Sequence, residues 1–70
     1  MNEPIPVIVE NAAQIAWDFL ERSGEITDAG EANHFLLLTI ADLVRKGERR
    51  RLMLSKLAIG AYRRRQSLAA

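Results

Sequence analysis

Cysteine is absent from this sequence, and with it go disulfides, thiol catalysis, thiolate zinc sites and any redox role. Histidine occurs once, at His34. One imidazole with Glu31 a turn away falls short of the three or four ligands that zinc takes, so no metal and no cofactor is expected. His34 reads instead as a solvated helix residue. The two prolines, Pro4 and Pro6, interrupt the apolar stretch near the start, which also lacks the basic leader of a signal peptide. Long apolar runs are missing too. The longest, Phe35 to Leu38, is far below the roughly 20 residues of a membrane-spanning helix, and a cytoplasmic protein is the expectation.

What the chain does have is aliphatic and alanine-rich. Apolar residues make up 49% and charged residues 27% of its 70 positions, a balance that suits packed helices and argues against disorder. That length is one domain, residues 1–70. A domain so small buries only about 60% of the surface of its unfolded chain, so its stability margin is thin. With disulfides and metals set aside, association with another subunit is the remaining support.

Apolar periodicity predicts an all-α fold, a small three-helix bundle spanning about 7–23, 29–46 and 48–65, with residues 1–5 and 66–70 frayed. In the first helix Ile8, Ala12, Ile15, Ala16 and Phe19 share one side, with Val9, Ala13 and Leu20 beside them. At 100° per residue the apolar arc covers about 200°, wider than one core seam needs. Ser23-Gly24 ends it, with glycine at the left-handed cap position. Asp28 is a suitable N-cap for the second helix, and Glu31 stands where it would complete a capping box. The second core face is Ala32, Leu36, Leu37, Ile40, Ala41, Leu43 and Val44, while Phe35 and Leu38 project elsewhere. Gly47 is the next break. The third helix shows a central stripe of Leu54, Leu57, Ala58 and Ala61, flanked by Leu52, Ile59 and Tyr62 on one side and Met53 on the other. Gly60 lies inside it, and either admits a close neighbour or is tolerated on an exposed face.

Charge is unevenly spread. Residues 1–44 carry a net −7 and residues 45–70 a net +8. The cations gather as Arg45, Lys46, Arg49, Arg50 and Arg51, and again as Arg63, Arg64 and Arg65. Arginines on a helix attract phosphate, which makes nucleic-acid or other anion contact by these eight residues one reading. Three observations count against it. The chain's pI is only about 8.3, Tyr62 is the sole aromatic near the arginines, and Arg49, Arg50 and Arg51 point about 100° apart. The competing reading is compensation, with the acidic first helix and the basic third lying side by side or pairing across an antiparallel dimer. An acidic protein partner is a further option. A membrane-surface role fits poorly, because the third helix's apolar residues are wanted in the core.

No catalytic constellation appears. Ser23, Ser55 and Ser67 have no histidine partner in context, no glycine-rich loop is present, and Glu10, Asp18 and Glu21 form an ordinary solvated face, so no enzyme is expected. The sequence therefore points to a helical interaction or structural protein that forms a homo-oligomer, a dimer being favoured. Its expected interface is the surplus apolar set Trp17, Phe35, Leu38, Met53 and Ile59.

Overall fold

A computed structural model describes residues 4–69. Residues 1–3 and 70, parts of the termini expected to fray, lie outside the described residues. The chain folds into three helices, α1 (Ile5–Arg22), α2 (Ala29–Arg45) and α3 (Arg51–Ala69), each packed on the other two as a three-helix bundle.

The ends of the helices follow from local chemistry. Pro4 precedes α1 in an extended conformation and Pro6 sits in its first turn, where a missing N–H costs nothing. The carbonyl of Pro4 accepts from Val7 and Ile8 at 3.0 and 3.2 Å. At the other end Gly24 takes φ 73°, letting its N–H reach Glu21 O and the Glu25 N–H reach Leu20 O. Gly47, at φ 110°, repeats the device for α2 with bonds to Val44 O from itself and to Leu43 O from Glu48. These paired bonds satisfy carbonyls that a helix end otherwise leaves open. Asp28 caps α2 by accepting the Glu31 N–H at 3.0 Å. Only that half of the expected capping box is described, because the Glu31 carboxylate turns to Arg65.

α3 differs from its expected span at both ends. It begins at Arg51, not near Glu48. The Glu48 carboxylate accepts the backbone N–H groups of Arg49 and Arg50 at 3.1 and 3.0 Å, holding these residues in a non-helical connection after the Gly47 turn. Past Arg65 the helix continues to Ala69, and Gln66 donates to the Tyr62 hydroxyl on the way.

The core is built from small residues on α1 and large ones on its neighbours. Ala12, Ala13 and Ala16 with Ile8 and Leu20 face Ala32, Leu36, Ile40 and Val44 of α2 and Leu54, Ala58 and Tyr62 of α3. Alanines let helices approach, so α1 packs tightly while burying little apolar area of its own. Burying each leucine or isoleucine contributes about 1.5–3 kcal/mol. The α3 stripe is rotated from its expected line. Leu57 is turned to solvent, and Tyr62, only 2% exposed, takes the core position in its place. Its ring lies 6.0 Å from that of Phe35, and its hydroxyl donates to Glu25 O at 3.4 Å, satisfying the buried polar end.

Candidate interaction surfaces

The five apolar residues singled out in the sequence do not share a face. Trp17, Phe35 and Ile59 are half-buried against the core, Trp17 over the α1–α2 seam and Phe35 beneath Tyr62 and Arg65. Met53 is half-buried, and Leu38, 58% exposed, stands on the outer side of α2. Phe35 is thus no second group in water beside Leu38, because Tyr62 covers it.

A different surface carries the surplus. Between α1 and α3 runs a groove of about 570 Å³ with a largely apolar lining from Ile15, Phe19, Leu52 and Ile59, joined by Ser55, Lys56, Gly60 and Arg63. Phe19 is 46% exposed and Leu52 72%. Periodicity alone puts Ile15 and Phe19 on the core side. In the folded chain the alanines occupy the core line, and these larger residues fall to its edge. The sequence signal was the excess width of the α1 arc.

A second groove, of about 550 Å³, lies between α1 and α2. Its floor holds Trp17, Ala13 and Leu37, and its rim is polar, with Glu10, Asn11, Gln14 and Asn33. Gln14 there donates to Asp18 at 2.9 Å.

The basic clusters are partly neutralised by acids of the front half, though not by those of α1. α1's Glu10, Asp18 and Glu21 form no ion pair with α3 among the described residues. The pairs come from the connections and from α2. Arg63 grips Glu25 through two bonds of 2.9 and 2.8 Å and lies 5.2 Å from the centre of the Phe19 ring. Arg65 reaches Glu31 at 3.2 Å and sits 4.9 Å from the Phe35 ring centre. Asp42 holds Arg45 and Lys46 at 3.2 and 3.0 Å, and Glu48 holds Arg50 at 3.0 Å. Arg49 donates to the carbonyls of Val44 and Glu48. Arg51 is half-buried at the head of α3, and Arg64 is exposed with no ion pair among the described residues.

Ionisation follows these contacts. The Arg63 guanidinium, helped by the Ser23 hydroxyl, lowers the Glu25 carboxyl to about 2. Bonds from the Arg50 guanidinium and backbone do the same for Glu48, also to about 2. Lys46 and then Arg45 lower Asp42. Each shift belongs to an anion held by cations at the surface, and none creates a proton donor or acceptor poised near neutrality.

The residues tested for chemistry lie apart. His34 is exposed on α2, and among the described residues no three or more metal-binding side chains cluster. Ser55 is buried, with its hydroxyl donating to Leu52 O at 2.8 Å within the helix. Ser23 binds Glu25 at the end of α1, and Ser67 is exposed near the end of α3. Among the described residues no helix is long and apolar enough to cross a membrane. No protein-family model, no curated protein and no solved structure matches the chain.

Proposed function

We propose that this chain is a small helical interaction protein that works by self-association, forming a dimer through its α1–α3 face. The observation that carries this reading is the groove with Ile15, Phe19 and Leu52 exposed along it. Apolar groups gathered on one face mark a contact surface far more often than single exposed side chains do. A stable dimer takes about 800 Å² from each partner, roughly one sixth of the 4832 Å² that this chain exposes, so the contact must extend beyond the groove itself. The expected Trp17–Phe35–Leu38 surface gives way here to the α1–α3 face, because Trp17 and Phe35 are engaged within the bundle.

Nucleic-acid contact has less support. Arg45, Lys46, Arg50, Arg63 and Arg65 each carry a carboxylate partner, which an incoming phosphate must displace or face. No catalysis is assigned. A cytoplasmic location is part of the same proposal, and cell fractionation tests it.

Light scattering on the purified chain over a wide concentration range tests the reading directly. The expected result is a dimer for the wild type and a folded monomer for Phe19→Glu combined with Leu52→Glu. A wild type that stays monomeric at high micromolar concentration overturns it.

A further inference from the structure

We propose that the occupant of the α1–α3 groove is α1 of a second copy, laid along α3 about a twofold axis parallel to the helices. This rests on the self-association reading and adds which element fills the groove.

Symmetry limits how a second copy can dock. Because three helices joined by short connections alternate in direction, α1 and α3 run the same way on this face. An isologous dimer needs a face complementary to itself, and its axis lies in the plane of contact. If the axis runs across the helices, α3 meets α3 antiparallel, and with the crossing near Gly60 Lys56 approaches Arg64 of the other copy. If it runs along them, α1 meets α3. The span of α1 carries Glu10, Asp18, Glu21 and Arg22, a net −2, whereas α3 carries five cations and no carboxylate. Like charges brought together penalise the first arrangement, and opposite charges favour the second.

The side chains at the edges of the groove fit that choice. Successive helix residues turn by 100°, which places Asp18 on the solvent side of Ile15 and Phe19. It accepts a bond from Gln14 and has no ion pair among the described residues. Lys56, on the opposite edge, has none either, and Arg63 lies on the same edge. Each copy therefore offers an unmatched acid on its α1 edge and an unmatched base on its α3 edge.

Gly60 supplies the room. A Cβ at this position would meet nothing within 4 Å, and its φ is not in the left-handed region. Neither packing nor backbone geometry inside the chain calls for glycine there, although glycine is among the poorest helix formers. What it leaves is a low saddle on the groove side of α3. A helix from a second chain crosses closely there, seating its own Ile15 and Phe19 against Leu52 and Ile59.

Sedimentation equilibrium of Asp18→Lys and Lys56→Glu, separately and mixed, tests the arrangement. Each variant alone sets like charges against one another twice per dimer, so its Kd is expected to rise roughly tenfold. An equimolar mixture is expected to recover tight association, because every altered charge then faces its opposite. Gly60→Leu, with circular dichroism as a check on folding, is expected to give a folded monomer. A mixture that associates no better than the single variants overturns the pairing of α1 with α3. A Gly60→Leu chain that dimerises as tightly as wild type overturns the close crossing. A wild type monomeric at every concentration instead sinks the underlying self-association reading, so the failures are told apart.

Discussion

Glu25 does more than any other charged residue to join distant parts of the chain. It sits in the α1–α2 connection, yet its carboxylate is held by Arg63 and Ser23 and its carbonyl by Tyr62. Sequence distance hid this. Arg63 looked like one of a run of three arginines available to phosphate, and only folding brings it to Glu25. The carboxyl is lowered from 4.5 to about 2, so the folded state holds its proton more weakly than the unfolded chain does. Stability from this contact is therefore complete above about pH 4.5 and is lost as the pH falls towards 2. Melting temperature followed by circular dichroism should drop through that window in wild type, and Glu25→Gln should show a shallower drop from a lower plateau. An acid limb unchanged by Glu25→Gln would assign the loss to other carboxylates, Glu48 being next in line.

At the scale of the helix, the caps were legible because their chemistry is local. Gly24, Asp28 and Gly47 each do what their residue type and position announce. Loss of the Asp28 cap by substitution with alanine should cost about 1 kcal/mol in urea unfolding. Gly47→Ala should cost a similar amount, since alanine at φ 110° is strained. Gly60→Ala should act in the opposite sense, adding up to about 1 kcal/mol to the monomer's stability, because helical φ and open space welcome a Cβ. Measured in the Phe19→Glu, Leu52→Glu monomer, where no second copy crosses at Gly60, a loss as large as that at Gly47 would show that the two glycines are not distinguished by backbone conformation. Which face each helix buries was harder to read. Leu57 and Tyr62 lie within the same broad apolar arc of α3, and periodicity cannot choose between them. The choice falls to Tyr62, whose ring fills the space beside Phe35 while its hydroxyl finds a carbonyl. That rotation turns Leu57 outwards. The same competition on α1, where alanines take the centre, moved the surplus surface from the expected Trp17 and Phe35 to Ile15 and Phe19.

For the whole molecule, thin stability and an apolar face are two sides of one problem. A core with five alanines among the twelve buried apolar residues described has limited area to offset the entropy of ordering 70 residues. Covering Ile15, Phe19 and Leu52 with a second copy adds buried area where one chain has none left to supply. If folding and dimerisation are linked in this way, stability must depend on concentration, because dilution favours the dissociated, less protected chain. Each tenfold rise in protein is worth about 1.4 kcal/mol per dimer. Set against the unfolding entropy of two such chains, that amounts to about 5 °C in melting temperature per tenfold. Differential scanning calorimetry over a hundredfold concentration range should show the rise in wild type and a flat line for the Phe19→Glu, Leu52→Glu chain. A wild-type melting temperature that does not move with concentration would mean that a single chain reaches its full stability unaided, and that the α1–α3 face is not where this protein finds its support.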